Sequence, residues 1–354
     1  MIKPITDNTK QDLAEYLRGK SATFMLALSN TATADIEGIT QAGIPGKIYL
    51  TPTLDSEFVT TGEVRSLEDI AKTPKGVPTP ALITRAVHLL KPFRNIELLD
   101  LGLKVKPQVE HFKLHHFDIK PSGSIDSNAG IDAHEIFQKG VQFGQKYSCE
   151  SDYLILGESV PSGTTTAKAV ATALGYDCNK CFSSSFKEVP NDIRESTIKK
   201  ALENLSSSDD IFSQLGKVSD NMIIFIAGFI LGLNNRLKVI LAGGTQMAAV
   251  LLVANSILKV MQGSIETSNL ALCTTKWVAQ DKNSDIKKLL EMLDFELNTY
   301  YSDFDFSLSD HPALKLYDEG EAKEGVGAGG ALMYGMLNTL DKETITKKVE
   351  SFLG

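Results

Sequence analysis

The stretch that decides the fold is residues 152–176, which read DYLILGESVPSGTTTAKAVATALGY. Residues 153–156 form a short apolar run that is typical of a buried strand, and residues 164–174 form an Ala-rich segment that predicts a helix ending at Gly175. The small residues 157–163 predict a tight turn between the two. Because a helix N-terminus presents free N–H groups and a positive dipole end, this turn predicts a site for a phosphate.

The candidate phosphate ligands are the small and hydroxyl-bearing residues where that helix begins: Ser162, Gly163, Thr164, Thr165 and Thr166. An ordinary, well-capped strand–turn–helix is the alternative interpretation of the same residues. The spacing is not that of a P-loop, because five residues separate Gly157 from Gly163 and Thr164 stands where that motif requires Lys. A phosphate monoester therefore fits the turn better than ATP or NAD.

Strand–turn–helix units recur along the chain and predict an α/β fold. Further strands are predicted at residues 21–29, 47–50, 96–104, 238–241 and 270–278, and helices from Asp7 or Asn8 to Arg18 and at 81–90, 133–147, 190–205, 222–233, 246–258 and 285–293. This alternation predicts a parallel, Rossmann-like sheet with helices on both faces. Residues 20–300 would form this large domain, and residues 1–19 and 301–354 a small helical lobe. The turns at 157–166 and 242–245 are expected to face one crevice.

The bulk composition fits a soluble globular enzyme or binding protein. The 354 residues are 42% hydrophobic, and 36 basic against 44 acidic side chains give a net charge of −8. That charge argues against a nucleic-acid surface, although backbone amides can still hold a small anion. The chain opens on a polar segment instead of a signal peptide, and its most apolar segment, 222–233, is shorter than the roughly 20 residues that span a bilayer. We therefore expect a cytoplasmic protein without a membrane partner.

A glycine-rich run near the C-terminus carries a candidate catalytic carboxylate. Residues 317–334 read YDEGEAKEGVGAGGALMY. Gly325, Gly327 and Gly330 match G-x-G-x-x-G, but the 24 residues that follow are too few to complete a dinucleotide-binding unit. The run instead predicts a loop entering a helix, with Glu324 at the entrance and glycines that let a flat ligand approach. Such a carboxylate can accept a proton from a heteroaromatic nitrogen, or it can simply decorate an exposed helix start.

Two sets of potential metal ligands are weak signals. His111, His115 and His116 fall within six positions, but no paired carboxylates or cysteines accompany them at ligand spacing, so a solvated loop or a substrate edge is the preferred interpretation. Cys178 and Cys181 form a lone C-x-x-C without a second pair or a neighbouring His, which indicates incidental thiols. We expect neither a metal nor a cofactor.

The run GESVPSGTTT at residues 157–166 resembles the signature of the nicotinate-nucleotide:dimethylbenzimidazole phosphoribosyltransferases, in the branch of archaeal and divergent bacterial members. Three other segments agree with this resemblance. EGVGA at 324–328 is similar to the Glu-Gly-x-Gly-Ala element of the family, PALITRA at 80–86 resembles its base-pocket helix, and 239–249 resembles its strand and turn beside the ribose. The resemblance covers most of the chain and is specific at 157–166 and 324–331.

The resemblance implies a role for each candidate residue. Glu324 would be the general base, with Glu321 as a weaker candidate. The phosphate and ribose would bind at Glu158, residues 162–166, Gly243 and Gly244, and the base at Pro80, Thr84, Arg85, Gly325 and Gly327. Two departures leave the identity of the base open: Lys323 replaces a Gly of the bacterial enzymes, and Ala86 replaces an expected Gln. Beside the ribose, Ala242 replaces the Asp of an Asp-Gly pair.

The reaction implied by the resemblance is transfer of the phosphoribosyl group from nicotinate mononucleotide to a benzimidazole- or purine-type base. It would yield nicotinate and an α-riboside 5′-phosphate for cobamide lower-ligand assembly. Glu324 would deprotonate the base, whose nitrogen attacks C1′ from the face opposite nicotinate. The positively charged pyridinium would leave without a strong acid, so no metal is expected. The resemblance also implies a homodimer with the partner near the site. The alternatives are a related transferase with another acceptor and a non-catalytic nucleotide-binding or sensor protein.

Overall fold

The computed structural model describes residues 1–9 and 12–353, and the strands of this part of the chain form one mostly parallel sheet. The strands are β1 (Ile2–Pro4), β2 (Ala22–Leu28), β3 (Asn95–Asp100), β4 (Lys113–His116), β5 (Tyr153–Ser159), β6 (Val239–Ala242), β7 (Leu270–Thr275) and β8 (Asn298–Ser302). Their order across the sheet is β1-β8-β7-β6-β5-β2-β3-β4. Only β1 runs antiparallel to its neighbour among these described strands. The predicted parallel α/β sheet is confirmed.

The helices follow the strands and cover the sheet. They are α1 (Asp12–Tyr16), α2 (Thr51–Thr61), α3 (Ala81–Leu90), α4 (Ala133–Lys146), α5 (Gly163–Ala173), α6 (Asn191–Glu203), α7 (Ile211–Val218), α8 (Asn221–Leu233), α9 (Thr245–Met261), α10 (Lys276–Ala279), α11 (Ile286–Glu291), α12 (Pro312–Asp318), α13 (Ala328–Leu337) and α14 (Lys342–Glu350). Within the described residues, none of these helices combines the length and apolar character needed to cross a bilayer.

Both faces of the sheet are buried, as the alternation of side chains in the central strand β5 demonstrates. Leu154 and Leu156 pack into one apolar cluster with α4, α5, α8 and α9. Tyr153 and Ile155 point the other way, into a second cluster with α2, α3, α13 and α14. Because successive residues of a strand face opposite sides, burial of every residue in β5 requires helices on both faces.

The strand order reverses between β2 and β5, which predicts a ligand crevice near the carboxyl ends of the strands. After β2 the chain adds β3 and β4 on one side, and it then returns to build β5 on the other side of β2, followed by β6, β7 and β8. Helices that follow neighbouring strands on either side of such a reversal diverge, which opens a crevice beyond the carboxyl ends of the strands. The loop after β5 is the one whose sequence predicts a phosphate turn.

Several predicted elements differ from the structure. The strand predicted at 47–50 is wrong: Ile48–Leu50 form a 3₁₀ turn that leads into α2, where Pro52 fits the first helical turn because it needs no hydrogen-bond donor. The turn predicted to begin at Gly157 begins later, since β5 continues to Ser159. The segment with His115 forms the edge strand β4 instead of a loop. In the predicted first helix, Lys10 and Gln11 lie outside the described residues.

The chain ends contribute to the sheet and to its covering helices. β1 pairs with β8, and α13 and α14 belong to one of the two apolar clusters. The division into a large domain and a terminal lobe stays a prediction, and Gly354 of that lobe lies outside the described residues.

The C-terminal glycines bring α13 against the sheet. A Cβ on Gly329 would lie 2.3 Å from the carbonyl carbon of Thr274, and one on Gly330 would lie 2.4 Å from Cβ of Ala242. Real side chains do not approach so closely, so these positions require Gly. The glycine run was expected to let a flat ligand approach; at these two positions it lets a helix approach the strands instead.

Candidate active site

A cleft lies at the carboxyl ends of β5, β6 and β7. It encloses about 930 Å³ of space between protein atoms, counting the part that is open to solvent. The start of α5 contributes Gly163 to its wall, and the loop before α13 contributes Glu324. The two segments that the sequence singles out as a phosphate turn and a catalytic carboxylate therefore share one cleft.

The cleft crosses the edge of the sheet, from the helices of one face to those of the other. One end, the α5 end, is formed by Ser162, Gly163 and Gln246. These residues lie at the starts of α5 and α9, two helices that pack into the apolar cluster containing Leu154. The other end, the α2 end, is formed by Asp55, Thr79 and Pro80. These residues lie on or beside α2 and α3, which pack into the apolar cluster containing Tyr153. The two ends consequently offer a ligand different chemistry.

The α5 end has buried polar groups that find no hydrogen-bond partner in the part of the chain that the structure describes. Ser162 has a φ of 66°, and its hydroxyl is buried without a hydrogen-bond partner among the described residues, as is Oε1 of Gln246. A Cβ on Gly163 would lie 2.0 Å from that Oε1. The N–H groups of Gly163, Thr165 and Thr166 donate to nearby carbonyls, whereas those of Ser162 and Thr164 have no acceptor among the described residues. Buried polar groups are normally paired, so these atoms indicate a polar ligand.

Arg194 on α6 holds the start of α5 from behind. Its guanidinium donates to the carbonyl oxygens of Thr164, at 2.8 Å, and Phe182, at 3.1 Å. Burial lowers the pKa of Arg194 to about 10. The group therefore stays charged at neutral pH and adds a positive field beside the α5 end, which favours an anion.

Glu324 is held by four hydrogen bonds while part of its surface faces the cleft. Oε2 accepts from the N–H of Thr275 at 2.8 Å and from the hydroxyl of Thr274 at 3.0 Å. Oε1 accepts from the N–H groups of Gly329 at 3.1 Å and Gly325 at 3.2 Å. Burial raises the pKa of Glu324 to about 7, although these donors oppose the shift. A carboxylate with this pKa can exchange a proton at neutral pH.

Glu158 lies at the end of β5 between the two ends of the cleft. Burial raises the pKa of Glu158 to about 8, and the negative charges of Glu324, Asp220 and Asp55 act in the same direction. Its backbone carbonyl accepts from the N–H of Val326, which joins β5 to the loop that carries Glu324. Glu158 is consequently protonated at neutral pH and can donate a hydrogen bond to a ligand, for example to a ribose oxygen.

Glu321, the weaker candidate for the base, lies at the rim of the cleft in a different environment. Burial opposes its ionisation, but Nζ of Lys75 donates to Oε1 at 2.5 Å and Nε2 of Gln41 approaches Oε2 at 3.4 Å. Together these contacts hold the pKa of Glu321 below its usual value. A carboxylate paired with a cation is a weaker proton acceptor, so the geometry favours Glu324.

The remaining predicted site residues divide into two groups. Pro80, Gly244 and Gly325 line the cleft together with Ser162, Gly163, Thr164, Glu158 and Glu324. Thr165, Thr166, Gly243, Thr84, Arg85 and Gly327 do not belong to this lining.

The second group supports the walls of the cleft. The hydroxyl of Thr166 donates to Asp220 and that of Thr84 to the carbonyl of Val326. Arg85 donates to the carbonyls of Val59 and Thr60 on α2. The N–H of Gly243 donates to the carbonyl of Cys273, and Gly327 packs against Phe24 and Gly157. The side chains or backbones of these residues make contacts within the protein. We therefore expect them to hold the lining residues of the cleft in place and not to contact a ligand themselves.

Several lining residues could not be recognised from the sequence. Ser183, Ser184 and Ser185 follow the C-x-x-C segment and line the cleft with the start of α5. Lys323 donates from Nζ to Asp281 at 2.8 Å and to the carbonyl of Phe186 at 3.1 Å, and both side chains of this ion pair are 5% exposed. Lys323, which replaces a Gly of the bacterial enzymes, therefore connects the loop that carries Glu324 to the segment that follows the serines at 183–185. The three consecutive hydroxyl side chains at 183–185 are the one sequence feature of these residues that could have suggested a polar site.

The histidine and cysteine segments lie away from this lining. His115 pairs with Glu97 at 2.6 Å and His116 with Asp100 at 3.2 Å, while His111 lies in the turn before β4. The four cysteines, Cys178 and Cys181 among them, are free thiols. Within residues 1–9 and 12–353, no group of three or more His, Cys, Asp or Glu side chains is arranged to hold a metal ion.

The fold and the cleft define an α/β protein with a polar cleft and a largely buried carboxylate at the edge of a parallel sheet. Comparison with family models gives no match. Among curated proteins, a UPF0284 protein of Sulfurisphaera tokodaii is 35% identical over 347 residues, covering 97% of this chain and 95% of its own length. A UPF0284 protein of Saccharolobus solfataricus is 32% identical over 339 residues, with 95% and 93% covered. The chain belongs to the UPF0284 family.

Solved structures with this fold include two from Thermus thermophilus. The nicotinate-nucleotide-dimethylbenzimidazole phosphoribosyltransferase has a TM-score of 0.60 and 16% identity, with 94% of this chain and 83% of that chain covered. A structure described as CobT has a TM-score of 0.57 and 15% identity, with 93% and 84% covered. The resemblance predicted from the sequence is confirmed at the level of the fold.

Proposed function

We propose that the protein is a phosphoribosyltransferase that moves the phosphoribosyl group of nicotinate mononucleotide to an aromatic nitrogen base of the benzimidazole or purine type. The products are nicotinate and an α-riboside 5′-phosphate, which serves cobamide lower-ligand assembly. The observation that carries this proposal is the shared cleft of Ser162 and Glu324. The fold of the Thermus thermophilus enzyme supports it.

The phosphate of the mononucleotide binds at the α5 end. Its oxygens accept hydrogen bonds from the Ser162 hydroxyl and the Thr164 N–H, while the helix dipole and Arg194 supply positive potential. The ribose then lies beside Glu158, and C1′ faces Glu324. In this orientation the acceptor base occupies the α2 end, between Pro80 and Asp55.

The reaction is a substitution at C1′. Glu324 takes the ring N–H proton of the base, and a ring nitrogen attacks C1′ on the face opposite nicotinate. As the new C1′–N bond forms, the bond to the pyridinium nitrogen breaks and its electron pair neutralises that ring. The configuration at C1′ inverts, which gives the α-riboside. Alignment of the two substrates supplies most of the acceleration, and the positioned base adds about 10²–10⁴-fold.

A transfer assay tests this function. The protein is incubated with nicotinate mononucleotide and one base at a time from a panel of benzimidazoles and purines, and nicotinate and riboside phosphate are measured. We expect both products in equal amounts with at least one base. Release of neither product, together with tight mononucleotide binding, would instead identify a binding or sensor protein. Sedimentation of the free protein tests the homodimer that the resemblance implies.

Replacement of Ser162 by Ala is expected to weaken mononucleotide binding about tenfold while leaving the free protein as stable as before, or more stable. A hydrogen bond to a charged phosphate is lost, whereas the free protein loses only a buried hydroxyl that has no described partner. Titration calorimetry with nicotinate mononucleotide and urea unfolding measure the two effects. Reduced stability with unchanged affinity would show that Ser162 is structural.

Turnover and stability are expected to change in opposite directions between roughly pH 5 and pH 8. Turnover rises with pH because Glu324, with a pKa of about 7, must be ionised to accept a proton. The pKa values of Asp55, Glu324 and Glu158 are raised to about 6, 7 and 8 by burial, so the folded protein holds protons that the unfolded chain has released. The resulting stabilisation is complete below the unfolded pKa values and is lost as pH rises through 6 to 8, at up to about 1.4 kcal/mol per pH unit for each group.

Urea unfolding of the wild type and of Glu158→Gln across this pH range checks that coupling. The variant has no proton to lose at position 158, so its free energy of unfolding should fall less steeply towards pH 8. Identical slopes for the two proteins would contradict the raised pKa of Glu158.

A further inference from the structure

Asp55 is a buried carboxylate in the wall of the cleft that the proposed reaction does not use. It lies on α2, is 2% exposed, and lines the α2 end. Thr79 donates to Oδ1 at 2.6 Å and Ser159 donates to Oδ2 at 2.7 Å. Three separate elements, namely α2, the loop before α3 and the end of β5, converge on this one group.

The carboxylate has unused capacity to accept hydrogen bonds. Two oxygens offer about four acceptor positions, and among the described residues the two hydroxyls occupy one position on each oxygen. No cation pairs with Asp55 in that part of the chain, and burial raises the pKa of Asp55 to about 6. It is therefore charged at neutral pH, and a buried charge without a cation gains strongly from any further donor.

The orientation of the substrates decides which of them meets Asp55. The unpartnered hydroxyl of Ser162 assigns the phosphate to the α5 end, on the opposite face of the sheet. Pro80 lines the cleft with Asp55 and lies beside Gly325, the residue after the proposed base Glu324. The α2 end is therefore the place of the acceptor base, provided that the proposed function holds.

We propose that Asp55 selects acceptor bases that carry an exocyclic amino group, of the aminopurine type. The amino N–H groups occupy the free acceptor positions of its carboxylate. A dimethylbenzimidazole has a single N–H, which Glu324 removes, so it leaves only methyl groups to face Asp55. Sites that hydrogen-bond a polar substituent discriminate strongly against analogues that lack it, because their buried polar groups are left unpaired.

Competition between bases tests this selection on the unmodified protein. Adenine, unsubstituted purine and 5,6-dimethylbenzimidazole are compared as acceptors from nicotinate mononucleotide, and kcat/KM is measured for each. We expect kcat/KM for adenine to exceed those of the other two by about tenfold or more. Equal or better use of purine or dimethylbenzimidazole would overturn the proposal.

Substitution of Asp55 by Asn tests the residue itself. The charge is removed while the shape is kept, so the preference for adenine over purine should fall about tenfold. Glu57→Gln is the matched control: Glu57 is a buried carboxylate on the same helix that accepts from Arg65, Ser66 and Gln108 outside the cleft, and its loss should leave the preference unchanged. A ratio of kcat/KM values cancels any fraction of unfolded protein.

The outcomes separate this proposal from the proposed function. Transfer with equal kcat/KM for bases with and without an amino group would contradict the selection by Asp55 and leave the proposed function intact. An equal decrease for all bases in Asp55→Asn would assign Asp55 to the common ribose and overturn the selection. Absence of transfer to every base would contradict the proposed function, and the selection with it.

Discussion

Replacement of Glu324 by Gln is expected to lower the turnover of phosphoribosyl transfer by about 10²–10⁴-fold, with little change in the affinity for nicotinate mononucleotide. The amide cannot take the proton of the acceptor base, so the attacking nitrogen stays weakly nucleophilic. In the proposed arrangement the mononucleotide binds chiefly through the α5 end, which the substitution does not touch. Single-turnover kinetics with saturating base and calorimetric titration of the mononucleotide measure the two quantities separately.

Glu321→Gln provides the comparison within the same loop. Glu321 is paired with Lys75 at the rim of the cleft, so its substitution should lower turnover far less than that of Glu324. An undiminished rate in Glu324→Gln, with a large decrease in Glu321→Gln, would transfer the role of general base to Glu321.

Replacement of Gly329 by Ala is expected to destabilise the protein by about 3 kcal/mol, at the upper end of the usual cost of overpacking. The new Cβ would lie 2.3 Å from backbone atoms of Thr274 in β7, where neither a helix nor a central strand can easily yield. Moving α13 away would also displace the Gly329 N–H from Oε1 of Glu324, so turnover should decrease as well. Urea unfolding measures the change in the free energy of unfolding.

Gly335→Ala is the matched control on the same helix. The three atoms nearest to its Cβ would all belong to side chains, the closest being Cδ1 of Leu340 at 3.3 Å. Ala is favoured over Gly in a helix by about 0.5–1 kcal/mol, which offsets this tight contact. The free energy of unfolding should therefore change little. Equal destabilisation by the two substitutions would contradict the role of Gly329 as the point of closest approach.

Strong local patterns allowed much of the sheet and of its helices to be predicted. Hydrophobic periodicity and nearby turn residues, all within a few positions, are enough to predict some elements. These are the apolar run of β2, the strand–turn–helix of β5 and α5, and the helix at Ala81–Leu90. The strand predicted at 47–50 was wrong because a short apolar run fits a strand or a helical turn equally well, and Pro52 decides for the helix. The edge strands β1 and β4 are too short and too polar to give such a signal.

The candidate site divides in the same way. Residues on recognisable turns, such as Ser162, Gly163 and Glu324, could be proposed from sequence, whereas Asp55 and Gln246 lie within ordinary helical segments. Their position in the cleft depends on contacts between residues far apart in the chain, such as that of Asp55 with Ser159. Local sequence contains no information on such contacts, so these residues become visible only in the folded protein.

A crystal structure of the protein with nicotinate mononucleotide bound tests the arrangement of the cleft most directly. We expect phosphate oxygens within about 2.7–3.2 Å of the Ser162 hydroxyl and the Thr164 N–H, with C1′ turned towards Glu324 and the α2 end still open for a base. A phosphate bound at the α2 end, or a mononucleotide bound outside the cleft, would contradict the account.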